Sequence, residues 1–170
     1  PNFGHTATGV YDREFTSGTK FQQGDTLLAR ITPCLENGKT AMVDFLEEGQ
    51  IGWGSTEFIV LCGKDKIHNP FVYYLSRSDT FREHAIRNMV GSSGRQRVPH
   101  DSLYDFNIAN PPIILINLFS EIASLFLKKI TIGSQEISCL EEIRNTLLPK
   151  LISGELRIPD AEKIIEETGL

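Results

Sequence analysis

Over the first 110 residues, short runs of alternating apolar and polar positions are separated by turn-forming residues. Gly24-Asp25 precedes Thr26 to Ile31, a β-leaning run, and Asn37-Gly38 precedes Thr40 to Val43, so the two runs read as antiparallel strands joined by a long turn. Glu57 to Cys62 reads as a further strand, preceded by Gly52, Gly54 and Ser55. The period then changes. Asn69-Pro70 reads as an N-cap followed by proline at the first helical position, opening a helix through Phe71 to Leu75. Ser78 or Asp79 caps a second helix that runs to about Met89. Gly91-Ser92-Ser93-Gly94 ends it, and Leu103 to Ala109 returns to alternation. This pattern predicts a compact α+β domain over residues 1–112.

Asn110-Pro111-Pro112 punctuates the chain, because tandem prolines enter neither a helix interior nor a central strand. From about Asn117 to Leu148 there is no proline, and apolar residues recur at heptad spacing: Ala123, Phe126, Ile130, Ile137, Leu140, Leu147 and Leu151. Only Gly133 and Arg144 interrupt the series. At ~1.5 Å per residue the predicted helix, within residues 113–154, is roughly 45 to 50 Å long. A helix folded back on its own domain more often shows a wide apolar face than a narrow seam, so this one is expected to need a partner. Phe126, Ile130, Ile137, Leu140, Leu147 and Leu151 are the candidate interface residues. Gly133 marks either close approach or a kink. Pro149 is expected to break or bend the helix, and Ser153-Gly154 to end it. Residues 155–170 read as an acidic amphipathic tail anchored by Ala161, Ile164 and Ile165.

With 40% hydrophobic and 23% charged residues, the chain has a globular composition, neither disordered nor collagen-like nor a disulfide scaffold. No apolar stretch approaches the ~20 residues of a membrane-spanning helix, and no charged, apolar leader opens the chain, so a cytoplasmic location without membrane contact is expected. Pro1 is not a start residue, and the expectation is a fragment or processed product lacking an N-terminal part of the domain. Cys34, Cys62 and Cys139 are odd in number and widely spaced, which signals neither a disulfide framework nor a zinc site and predicts buried, reduced thiols. His5, His68, His84 and His100 are equally dispersed. No metal and no cofactor is expected.

A net charge of −5 argues on its face against a polyanionic partner, but its distribution changes that conclusion. Residues 155–170 hold two basic and five acidic side chains, and so carry three of the five excess negatives. Between Arg77 and His100, by contrast, Arg77, Arg82, Arg87, Arg95 and Arg97 face only Asp79 and Glu83. Such a cluster is either a solvated face or a polyanion site.

Four ordered strings carry a more specific signal: Gly24-Asp-Thr-Leu-Leu-Ala-Arg-Ile-Thr-Pro-Cys-Leu-Glu-Asn-Gly-Lys-Thr-Ala, Gly54-Ser-Thr-Glu-Phe-Ile-Val-Leu, Gly91-Ser-Ser-Gly-Arg-Gln-Arg-Val-Pro and Leu147-Leu-Pro-Lys-Leu-Ile-Ser-Gly-Glu-Leu. From about Phe21 onward the chain resembles the specificity subunit of type I restriction-modification systems. The resemblance implies a target recognition domain followed by a long C-terminal α-helix that forms an antiparallel coiled coil as a spacer. It implies double-stranded DNA as ligand, with each recognition domain reading half of a bipartite site. It also implies methyltransferase subunits that bind S-adenosylmethionine, a restriction/translocase subunit, and either a second recognition domain or a second copy of this chain as partners. The family's Pro-Pro-Leu-x-x-Gln helix start is Pro111-Pro112-Ile here, without the glutamine.

Residue by residue, Val90 to Pro99 can present backbone N–H groups, the Ser92 and Ser93 hydroxyls and the Arg95 and Arg97 guanidinia to phosphates or base edges. Gln96 can donate and accept toward adenine, and Arg87 belongs to the same basic cluster. The plain alternative is a glycine-rich turn with exposed arginines. Asn37-Gly38-Lys39 is either a tight turn with a solvated lysine or a turn that approaches a sugar-phosphate backbone. Ser55 and Thr56 stand at a strand start, where they satisfy backbone groups or meet DNA, and Glu57 can orient an arginine by bidentate pairing. An enzyme would need a convergent nucleophile, base and orienter, and none announces itself. A protein-interaction module whose helix dimerises remains the competing class.

Overall fold

A computed structural model describes residues 10–12, 14–157, 163, 166 and 167. Its strands are β1 (Thr19–Gln22), β2 (Thr26–Ala29), β3 (Thr40–Met42), β4 (Ile51–Gly54) and β5 (Phe58–Leu61). The antiparallel pair read from the two apolar runs forms as β2 and β3, and β5 joins the other edge of β2. Leu27 stands opposite Ala41 on one side and Val60 on the other. All four residues of β2 are buried, because successive side chains point to opposite faces and both faces are covered. Leu28 and Ile59 join Leu35, Phe81, Ala85 and Val98 in one apolar cluster. Leu27 joins Phe21 and Val43 in a second, flanked by Phe45, Phe58 and Val60.

β1 and β4 form a separate antiparallel ribbon, with Lys20 opposite Trp53, in two stretches to which the apolar pattern assigns no strand. Gly52 makes this pairing possible, since a Cβ there would collide with the Phe21 ring. A strand written Ile-Gly-Trp-Gly carries little β signal of its own.

Two short helices follow, α1 (Asn69–Arg77) and α2 (Asp79–Arg87). Asn69 does not cap α1. His68 is the N-cap residue, without a side-chain bond, while Asn69 Oδ1 accepts from the Gly63 amide at 2.6 Å and ties the helix start to the end of the sheet. Pro70 occupies the first turn, where its missing N–H leaves no bond unmade. Ser78 caps α2 as expected, accepting from the Phe81 amide at 3.3 Å. The alternation of Leu103 to Ala109 forms no strand; a 3-10 turn, Asp101–Leu103, leads into it, and residues 104–109 follow as turn and irregular chain. Leu103 and Phe106, three residues apart, both pack on the first cluster, a spacing that suits a turn and not an extended chain.

α3 (Ile113–Ile152) begins immediately after Pro112, whose carbonyl accepts from the Leu115 amide at 2.9 Å. It starts before Asn117 and runs three residues past Pro149. The amide that Pro149 lacks would bond near the C-terminus, where few later turns depend on it, so the helix continues instead of breaking there. Ser153 N–H then donates to the Pro149 carbonyl at 3.0 Å.

The chain divides after Lys128 into two units. In the first, α3 buries Ile116, Ser120, Ala123 and Leu127 at alternating spacings of four and three. Phe119 meets Phe71 and Tyr74 of α1 edge-on at 5.9 and 5.7 Å. Ala123, expected in the partner seam, therefore belongs to the buried face of the first unit. The second unit holds the remainder of α3 from Lys129.

Cys34 is half-buried, and Cys62 and Cys139 are exposed, which corrects the expectation of buried thiols; all three are free. Cys62 follows the last paired residue of β5, and Cys139 lies between the exposed Ile137 and Leu140 on α3. His5 and the tail anchors Ala161, Ile164 and Ile165 lie outside the described residues. Among the described residues no helix is long and apolar enough to cross a membrane, and no group of His, Cys, Asp and Glu is placed to hold a metal ion.

Candidate functional site

The segment from Val90 to Val98 is held chiefly by its main chain. Val90 and Arg97 exchange both backbone hydrogen bonds at 2.9 Å, closing a hairpin-like loop over Gly91 to Gln96. Thr32 N–H donates to the Gln96 carbonyl at 3.0 Å, Val98 N–H to the Arg30 carbonyl at 2.9 Å, and Arg30 N–H to the Glu57 carbonyl at 3.0 Å. Three distant stretches of sequence are thereby joined side by side. Ser92, Ser93 and Arg95 at the tip are exposed, and Gln96 is half-buried.

The two arginines of this loop have different surroundings. Arg97 lays its guanidinium across the Glu57 carboxylate, Nε at 2.9 Å from both oxygens and Nη2 at 2.7 Å from Oε1. This is the bidentate pairing read for Glu57, now with its arginine identified. The hydrogen bonds from Arg97 hold the Glu57 carboxyl below its ordinary range, and the charges of Arg97 and Arg30 act in the same direction. The same bonds raise Arg97. Arg30 Nε is buried with no hydrogen-bond partner among the described residues. Arg95 is exposed, and its backbone N–H closes a turn onto the Ser92 carbonyl at 3.0 Å.

Asn37, Lys39, Ser55 and Thr56 line one broad groove of about 1460 Å³, together with Arg77 and Arg82. Ser55 Oγ accepts from the Glu57 amide at 3.1 Å, which is the backbone-satisfying role, while Thr56 is exposed. Asn37 and Lys39 are exposed on the turn that leads into β3. Arg87 neither lines this groove nor belongs to the 90–97 loop; it is exposed on α2 and pairs with Glu83 at 2.7 Å. The structure therefore gathers the expected residues into a groove set and a loop set, with Arg87 outside both.

Arg77 and Arg82 enter the sequence reading only as charges. Arg77 donates to the Thr40 carbonyl at 3.3 Å and lies 5.6 Å over the Tyr73 ring. Burial pushes the Tyr73 hydroxyl up to about 12. Arg82 donates to the Glu36 carbonyl at 3.1 Å and meets Asp79 at 3.4 Å. Their one sequence signal is position, at the end of α1 and the start of α2, and it acquires meaning only once the 36–40 turn lies beside those helices.

Along α3, Phe126, Ile137 and Leu140 are exposed, and Ile130, Leu147 and Leu151 are half-buried. Exposed apolar residues are more numerous than the heptad series implied, since Leu118, Ile122, Leu125, Ile132 and Leu148 are also open to solvent. A Cβ built on Gly133 would meet nothing within 4 Å outside the helix's own backbone.

The chain is similar to the type I restriction enzyme EcoAI specificity subunit of Escherichia coli, at 36% identity over 96 residues, or 56% of this chain. It is also similar to the type I restriction enzyme EcoEI specificity subunit of Escherichia coli, at 33% identity over 95 residues, or 55% of this chain. The matched stretch spans 16% of the length of each of these relatives. No family model matches the chain. The resemblance carried by the four sequence strings is thus matched by two relatives that are themselves specificity subunits.

Proposed function

We propose that this chain is a non-catalytic DNA-recognition module of a type I restriction-modification assembly, reading one half of a bipartite duplex site. The α+β domain meets DNA. α3 pairs antiparallel with the helix of a second recognition domain or a second copy of this chain, and docks methyltransferase subunits that bind S-adenosylmethionine. A restriction/translocase subunit completes the assembly. The domain boundaries of this reading remain residues 1–112, 113–154 and 155–170.

The observation that carries the proposal is the similarity to two specificity subunits over more than half of the chain. The exposed 90–97 loop, with two hydroxyls and the Arg95 guanidinium at its tip, supplies groups suited to phosphate and base-edge contact. Base-resolution methylation mapping in cells carrying the intact system tests it: a bipartite methylated motif is expected, and a continuous motif or none overturns it.

A second reading, a helical adaptor module without DNA specificity, draws support from the apolar side chains exposed along α3. Duplex-binding measurements separate the two. DNA recognition requires affinity that falls steeply as salt rises, whereas an adaptor binds DNA weakly and without that dependence.

A further inference from the structure

The 36–40 turn, the start of α2 and the end of α1 converge on the groove that contains Lys39, Arg77 and Arg82. Gly38 stands at the centre of the turn with φ +70°, a left-handed conformation suited to glycine, and a Cβ there would press on the Arg82 guanidinium at 3.3 Å. Arg82 fills that space and binds the Glu36 carbonyl, so the turn is held from beneath by a cation. Arg77 does the same for the start of β3 through the Thr40 carbonyl. Both arginines donate hydrogen bonds to neutral carbonyls; Arg82 also pairs with Asp79 at 3.4 Å, whereas the bond from Arg77 to the Thr40 carbonyl neutralises none of its charge. Lys39 is exposed beside them, and Asp12 and Glu36 are the acidic residues that also line the groove.

The groove is larger than the ~300–1,000 Å³ of a typical small-molecule pocket, which fits the surface of a polymer better than an enclosed metabolite. The Asn37 amide and the Ser55 and Thr56 hydroxyls that line it are groups that bond phosphate and sugar oxygens. We infer that this groove seats the phosphodiester backbone of duplex DNA, with Lys39 and Arg77 as the phosphate contacts, separate from the 90–97 loop. The inference rests on the DNA reading above and adds the face by which the domain grips the backbone.

The test is fluorescence anisotropy of the 170-residue chain with a random-sequence duplex over a series of salt concentrations. Lys39→Gln and Arg77→Gln are each expected to reduce the slope of log affinity against log salt by about 0.9, the value for one phosphate contact. Arg77→Lys is expected to keep the slope. Lys64→Gln, exposed and outside the groove, is also expected to keep it. Lys39→Gln guards against misfolding of the Arg77 variant, because Lys39 is exposed. If the unaltered chain binds with a clear salt slope that Lys39→Gln and Arg77→Gln leave unchanged, the groove assignment falls and the DNA reading stands. An equal loss in Lys64→Gln reduces the effect to general charge and also overturns the assignment. A chain whose DNA affinity is insensitive to salt overturns both.

Discussion

Glu57 determines what Arg97 is free to do. With three hydrogen bonds to one carboxylate, Arg97 acts as a pin between β5 and the 90–97 loop, and Arg95 is left as the exposed cation of that loop. Arg95→Gln is therefore expected to lower the salt slope of duplex binding by about 0.9 while leaving the loop ordered. Glu57→Gln is expected to loosen the loop, seen as faster amide exchange at Val90 and Arg97, whose mutual backbone bonds close it. Because the Glu57 carboxyl is held below its ordinary range, the pair's contribution is complete above that range and is lost as pH falls through the depressed value. Loop opening at these two amides, read as exchange protection corrected for the intrinsic pH dependence of amide exchange, should increase on acidification in the native chain and be independent of pH in Glu57→Gln. The role of Glu57 was readable beforehand, since a carboxylate at a strand start with arginines in the same domain has one obvious partner chemistry. Arg77 and Arg82 were not, because their function depends on a turn forty residues earlier that only tertiary packing brings to them.

At the scale of elements, local chemistry was the most reliable guide. Ser78 caps α2, and Ser78→Ala is expected to cost about 1 kcal/mol of stability, measured by chemical denaturation. β2 and β3 pair as their apolar runs imply. The ribbon of β1 and β4 lay hidden, because its glycines serve the Phe21 ring and leave no alternating pattern to read. Leu103 to Ala109 misled in the opposite way, its alternation satisfied by one packed turn. α3 was visible from its period, although its first turns pack within the domain and Ala123 is buried with them. Downstream, Ile137 and Leu140 are exposed at 60% and 55%, more than a finished surface helix would leave open. Replacing both by Asp is expected to disperse any dimer of the chain in analytical ultracentrifugation, and a dimer that survives would place the pairing face elsewhere on the helix.

For the molecule as a whole, the proposed reading together with a net charge of −5 predicts that the 170-residue chain alone holds DNA weakly. Joining two such heads through their helices should raise apparent affinity well beyond either alone, because the second contact becomes intramolecular. Linking two copies covalently and comparing duplex binding with the single chain measures this directly. One feature of the fold bears on how such a head could acquire new targets. The ties of the 90–98 segment to residues 30 and 32 run from amide to carbonyl, groups that every residue but proline supplies in full, while its tie to Glu57 is made by the Arg97 guanidinium. In the proposed DNA reading, the exposed residues 92, 93 and 95 are the positions to exchange as a cassette, with Glu57 and Arg97 kept as fixed brackets, so that altered specificity is expected from rewriting a few exposed letters while the scaffold is retained.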